Sequence, residues 1–396
     1  MGMKNAFAVW EEVTRMNRSD KEAPALTAPE NIKAEDRETM SRAGILFDRG
    51  RRSGTMIVRD HNPVCLQVET KRFEMLPIAE ALTRYEWLKE KYCFKAVPAD
   101  YDEEVSACAA QEKPLGFFIH VKKGAHVTLP CQTAMYMASE NITQMVHNIV
   151  LLEEDSNLEL ITGCLTHHNV SSGLHIAVEE HYVGKNAKLR STMIHSWGPE
   201  VLVYPRTGTI VEEGGRYESN YISIRAAKKV FSDPQTWLNG KGASAKYLTV
   251  VLGAPGSVIN TEGNVYLNAE DTGAELVHRG VCTGGAMYQG GLLIGNAPCR
   301  AHVDCAGMLL DQTGKGFIES VPGLRSHHSD ARMSHEASIG KIAPEQVEYL
   351  MSRGMEEREA ISLMIRGFLG ADIIGLGTEL DAQIAEMVEI AGHGEE

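Results

Sequence analysis

Between residues 115 and 335 apolar positions alternate with polar ones in short Val, Ile, Leu, Thr and Tyr runs. This period-two pattern predicts strands rather than helices. The runs also repeat: VKKGAHVTL, EEDSNLELI, VGKNAKLRS, VEEGGRYES, GKGASAKYLTV, AEDTGAELVHR and GNAPCRAHVDC each set a turn of small or polar residues before such an alternation. Aligned on Val127, Leu158, Leu189, Tyr217, Tyr247, Leu276 and His302, they recur after 31, 31, 28, 30, 29 and 26 residues. A loose period of this length predicts a solenoid in which each repeat adds one coil. With strand-type alternation a parallel β-helix fits best, an irregular β-sandwich or barrel being the alternative.

The flanks differ in texture. In residues 1–113, KEAPALTAPENIKAEDRETM reads as linker, while FEMLPIAEALTRYEWLKEKYC reads as a helix with Ile78, Leu82, Tyr85 and Leu88 on one face. Beyond residue 335 the pattern turns helical, with Pro344 at a first helical position. There Ile361, Met364, Ile365 and Phe368 form one apolar stripe. The expected organisation is a mixed α/β region over 1–113, a β-helix core over 114–335 and a C-terminal helical domain over 336–396. The two flanks are placed to cap the open ends of the solenoid.

Charge and composition narrow the function. Against 39 Lys and Arg stand 53 Asp and Glu, a net charge of −14, which excludes a basic nucleic-acid footprint and charge-driven docking on anionic membranes. No apolar run approaches the roughly 18 residues of a membrane span, and MGMKNAFAVWEEVTRMNRSD is too charged for a signal peptide, so a cytoplasmic protein is expected. Eight cysteines without a CxxC pair are too sparse for a disulfide scaffold and write no zinc ribbon. GxxxxGK[ST], GxGxxG, HExxH and GxSxG motifs are missing as well. The adjacent pairs His167-His168 and His327-His328 read as solvated loop residues. Glu153, Glu154, Asp155, Glu212, Glu213, Glu270 and Asp271 fall in turns, a solvated edge rather than the acidic cleft of a β-helix carbohydrate-active enzyme.

Cys305 lies in GNAPCRAHVDCAGMLLD, and His335 and Glu336 follow in ARMSHEASIGKIAPEQ. A thiolate, an imidazole and a carboxylate near one end of a rigid β-helix suit a mixed-ligand iron site. On spacing alone, a buried structural thiol and a helix-start Ser-His-Glu compete with that reading.

From about Tyr85 to Phe368 the chain resembles the core scaffold proteins of the Suf iron–sulfur cluster assembly system, SufB and its paralogue SufD. The pieces are YEWLKEKYCFKAVP, GFFIHVKKGAHV, ELITGC, STMIHSW, VDCAGMLL and the long SHEASIGKIAPEQVEYLMSRGMEEREAISLMIRGF. The resemblance implies a right-handed parallel β-helix and a scaffold without turnover of its own, working with a SufC-like ABC-type ATPase. It further implies an iron–sulfur cluster of the 4Fe–4S type on Cys305, His335 and Glu336, recipient apo-proteins, and room for a flavin. VDCAGMLL carries the SufB cysteine that SufD lacks, whereas Ser334 stands where SufB has a second Glu. One chain that combines features of both paralogues implies a homodimer, with a SufD-like subunit lacking its own cluster as the alternative. Cys164 aligns with the sulfur-accepting cysteine of SufB, and Trp197, His195 and Arg206 fall at or near positions of a sulfur path through the interior. An Arg and an Asn of that path are replaced by Tyr136 and Ala138. The apolar stripe Ile361, Met364, Ile365 and Phe368 is the implied docking face for the ATPase, packing on the β-helix end being the other reading and each reading suiting different residues of the stripe.

Overall fold

The computed structural model describes residues 26–48, 50–310, 314–370 and 384–385. Its first sheet stacks Gly54–Arg59, Cys131–Met137, Asn157–Thr166, Lys188–Ser196, Arg216–Arg225, Ser244–Gly253, Thr272–Cys282, Cys299–Leu309 and Arg332–Gly340, each parallel to the next. The second runs from Phe117–Val121 through Ile142–Leu152, Ser172–Val183, Glu200–Val211 and Lys229–Leu238 to Gly285–Gly295 and Phe317–Ser326. Because the chain crosses from one sheet to the other in every repeat, it winds a parallel β-solenoid of about eight turns, as the repeat predicts.

Six successive coils turn the same corner. Gly124, Asp155, Asn186, Gly214, Gly242 and Asp271 hold left-handed backbone there, with φ between 55° and 70°. Each of their N–H groups donates to a carbonyl in the turn of the next coil, from Gly124 to Glu154 through to Asp271 to Pro298. Gly, Asn and Asp tolerate this conformation best, which is why the turns punctuate the sequence so visibly.

The register corrects two anchors of the sequence alignment. Leu158 stacks on Leu189 and Leu189 on Tyr217 as expected, but Tyr217 stacks on Ala245, two residues before Tyr247. Leu276 stacks on Val303 rather than His302. A slip of two keeps a side chain on its face, whereas a slip of one reverses it. Val303 is accordingly in the core, and His302 faces outward to Ser334 at 2.8 Å.

Both outer faces are also covered. Met40, Ala43 and Ile45 from the N-terminal region and Ile365 and Leu369 from the C-terminal helix Glu357–Leu369 pack with Ile161, Ile194, Ile222, Val250 and Val281 of the first sheet. Ile78, Leu88 and Ala96 cover Phe118, Ile149 and Tyr182 of the second. Glu180 locks that cover in place: its buried carboxylate accepts the N–H groups of Phe94, Lys95, Ala96 and Val97 and pairs with His147 Nε2 at 2.7 Å.

Three expectations about the flanks change. The linker-like stretch contains a helix, Ala34–Ser41, whose Met40 is buried. FEMLP is a strand, Phe73–Pro77, followed by two short helices, Ile78–Arg84 and Glu86–Lys91, which Tyr85 separates in extended conformation. Residue 336 is no boundary, because the last strand runs Arg332–Gly340 and the first C-terminal helix, Pro344–Ser352, begins at Pro344.

The corner turns make a test of coil spacing. A Cβ at Gly240 would lie 1.9 Å from Glu213 N, whereas one at Gly242 meets nothing within 4 Å. G240A is expected to lose about 2 kcal/mol or more in urea unfolding, while G242N stays within about 1 kcal/mol of wild type. Equal stability of the two variants would rule out the close coil contact.

Candidate functional site

Inside the solenoid, parallel register turns sequence positions into columns, because directly paired residues project to the same side. One column runs Met135, Cys164, His195, Ser223. The neighbouring one runs Met193, Tyr221, Thr249, His278, Cys305, Ala337. Tyr221 joins the two, since its hydroxyl lies 3.0 Å from His195 Nδ1. Trp197 is fully buried between His175 and His195, with ring centroids 4.8 and 5.5 Å away.

Between these points lies a polar cavity with about 50 Å³ of room for water-sized occupants, lined by Glu179, Tyr217, Tyr221, Tyr247, Thr249 and His278. By this measure one water needs roughly 10–15 Å³, so the space holds a few molecules of water or hydrosulfide size. The walls carry unused hydrogen-bonding capacity. Among the described residues both ring nitrogens of His278, which lines the cavity, have no hydrogen-bond partner, nor do His175 Nε2, His195 Nε2 and Trp197 Nε1 in the core nearby, while His181 Nε2 lies 3.7 Å from Glu179.

Burial sets the protonation of this interior. It drives the Cys164 thiol well above its ordinary range, reinforced by the Glu179 carboxylate. It lifts Glu179 to about 7 and lowers His195 well below an ordinary histidine. The Cys305 thiol is pushed up to about 11, mainly by burial. Both thiols are therefore protonated at neutral pH and need a base or a metal to become thiolates.

The sequence candidates separate into groups. Cys164, His195 and Trp197 come together in the interior. Arg206 does not join them: Pro205 and Thr207 line the cavity, so Arg206 points out of the sheet, where its Nε meets Asp102 at 2.6 Å. Cys305 is completely buried, whereas His335 and Glu336 are exposed on the final strand. His335 pairs with Val303 and so shares the inward side with Cys305; Glu336 pairs with Asp304 on the opposite side. In the C-terminal helix Ile365 is fully buried, Ile361 and Phe368 pack beside it on the solenoid, and Met364 is half-buried. The stripe proposed for docking thus faces the chain's own core. Tyr349, Met351 and Leu363 are the apolar residues exposed on the two helices.

His278 escaped sequence reasoning. Its strand alternation marks it as inward, but its place beneath Cys305 needs the register of two strands.

A parallel solenoid with a cysteine-bearing, polar interior is the class these features define. A family model described as SUF system FeS cluster assembly, SufBD core domain, matches residues 135–368. An iron–sulfur cluster assembly SufBD family protein of Methanothermobacter thermautotrophicus (strain Delta H) is 36% identical over 374 residues, 93% of this chain and 90% of that one. A SufBD family protein of Archaeoglobus fulgidus is 38% identical over 357 residues, covering 90% and 95%. One of Pyrococcus horikoshii is 28% identical over 322 residues, covering 81% and 71%. The chain belongs to the SufBD family of iron–sulfur cluster assembly proteins. Among the described residues no helix is long and apolar enough to cross a membrane.

Neutral histidines in the core make stability depend on pH. Burial lowers His175 to about 3 and His181 and His278 to about 4, from 6.5. A depressed folded value means that the stability is present above 6.5 and is lost as pH falls towards 4. The urea midpoint is expected to drop over that window, and to drop less in H278Q. An identical pH profile for H278Q would show that His278 is not buried neutral.

Proposed function

We propose that the chain is a scaffold on which an iron–sulfur cluster is built and from which it passes to apo-proteins, Cys305 being the thiolate ligand. The observation that carries this reading is the polar lining from Cys164 through His195, Tyr221 and Thr249 to His278 and Cys305. Cys164 and Cys305 are five coils apart, about 24 Å at 4.8 Å per coil, so sulfur cannot pass between them by direct contact. The cavity, with His278 in its wall, and the His195 and Trp197 nitrogens nearer Cys164 offer the intervening stations. Iron displaces the proton of a thiol ligand, and His278, stacked beneath Cys305 and held neutral by burial, leaves that proton to solvent or an incoming base.

The ligand set completes at the open end. His335 lies on the inward side there, and Glu336 enters by rearrangement or from a second copy. Among the described residues the last strands of both sheets have a neighbour on one side only, and Phe317, Val321, Leu324 and Ile339 are exposed on them. Unpaired edges with apolar side chains call for a partner strand. A homodimer joined here brings two Cys305 thiols and two His335 rings to a shared 4Fe–4S cluster. Full burial of Cys305 requires this end to open for iron, the task assigned to a SufC-like ATPase on the C-terminal helices. Arg206 has no part in the path, because it lies outside the interior.

After anaerobic reconstitution C305A is expected to hold neither iron nor sulfide in stoichiometric amount, whereas C164A still accepts a cluster from free sulfide. Full occupancy in C305A overturns the ligand assignment. A wild-type chain that takes up no cluster is a SufD-like structural subunit instead.

The docking face has its own test. Y349E with L363E is expected to weaken ATPase binding at least tenfold by calorimetry while cluster loading and thermal midpoint stay unchanged. Undiminished affinity moves the docking site away from the two helices.

A further inference from the structure

His167 and His168 stand in the turn after strand Asn157–Thr166, as the sequence suggests, with His168 exposed and His167 half-buried, but they are not isolated there. Their Nε2 atoms lie 3.3 and 3.5 Å from Glu35 Oε1, and the three ligating atoms fall within 4.8 Å of one another. Zinc bonds of about 2.0–2.1 Å hold tetrahedral ligand atoms about 3.3–3.4 Å apart, so the carboxylate-to-histidine separations already match two edges of such a site. The two imidazole rings face each other at 4.0 Å, and the His167 side chain is only 13% exposed.

The scaffold behind this triplet is fixed. His167 N–H donates to Met137 O, and His167 O accepts the Val170 N–H, which holds the turn after strand Asn157–Thr166. Glu35 sits in the first turn of helix Ala34–Ser41, and the next residue, Asp36, accepts the Tyr136 hydroxyl at 2.8 Å and pairs with Arg59 at 3.4 Å. The helix is thereby seated on the solenoid independently of any ion.

We propose that Glu35, His167 and His168 bind a divalent transition-metal ion of the zinc type, with a fourth position open to water. Two imidazoles and one carboxylate suit borderline ions such as zinc or ferrous iron better than magnesium or calcium. His167 Nδ1 accepts the Asn169 N–H at 3.2 Å, so its proton resides on Nε2. Coordination moves that proton to Nδ1 and gives up this long hydrogen bond, with no change in the charge of the ring. The ion then ties the N-terminal helix to the coil that bears Cys164.

The test is titration of the full chain with zinc and cobalt under anaerobic conditions, in a C164S/C305S background that removes the interior thiols proposed above. One equivalent should bind, cobalt should give the visible bands of a nitrogen and oxygen site, and zinc should raise the thermal midpoint. E35Q should weaken binding at least tenfold and H167A/H168A should abolish it, each with an unchanged circular dichroism spectrum without metal. No bound zinc at submillimolar concentration, or unchanged affinity in both variants, overturns the site.

Discussion

Backbone hydrogen bonding between successive coils is the constraint on which the rest of this molecule depends. Each strand inside the stack is paired on both sides, so the lateral position of its side chains is set by the coil below it. That pairing places His195 over Cys164 and Cys305 over His278, although these residues are far apart in sequence. A one-residue slip anywhere in the stack would turn all later columns inside out. The left-handed corners at Gly124, Asp155, Asn186, Gly214, Gly242 and Asp271 guard against it, each donating its N–H to the next turn.

Those corners are also the most legible part of the sequence, because only a few residue types hold that backbone at low cost. Strand alternation groups Cys305 with Ala301 and Val303, but the anchor on His302 turns that group outward, and only the register of Leu276 on Val303 turns it inward. Alternation fails where both faces are covered: Ile161, Leu165 and Cys164 are all buried, and it gives way to a continuous apolar run. Contacts between coils were legible only where the repeat spacing held, as at Leu158, Leu189 and Tyr217. Arg206 lies near the path in sequence but has the wrong parity, and Glu35 meets His167 and His168 only because an N-terminal helix folds back over the first sheet. The apolar stripe of the C-terminal helix was visible, yet periodicity says nothing about whether a stripe meets its own chain or another.

The interior is costly. Buried imidazoles and a carboxylate without full hydrogen bonding oppose folding by a few kcal/mol each. Apolar side chains would fill such a bore more stably, so the stacked aliphatic core at Leu158, Leu189 and Val303 must offset a polar column beside it. Neutral protonation limits the penalty: burial holds His278 near 4 and Glu179 near 7, so neither histidine nor carboxyl need carry full charge in the core. Groups left neutral and unpartnered are also those able to hydrogen-bond a small polar guest, which ties the destabilised column to the assembly chemistry of the family.

The two ends of the solenoid are unequal, and that determines where it can yield. At the first coils the hairpin strands Gly54–Arg59 and Asn62–Val68 and the antiparallel strand Phe73–Pro77 close both sheets. At the other end both edges lack a further strand among the described residues, and Cys305 lies one strand in from the edge. Helix Glu357–Leu369 packs on strand Thr272–Cys282, which carries His278 on its inner side. A force applied to this helix is therefore delivered to the strand directly beneath Cys305. The coils before it, hydrogen-bonded on both sides, resist bending, so the displacement concentrates in the last coils, where only one side is held.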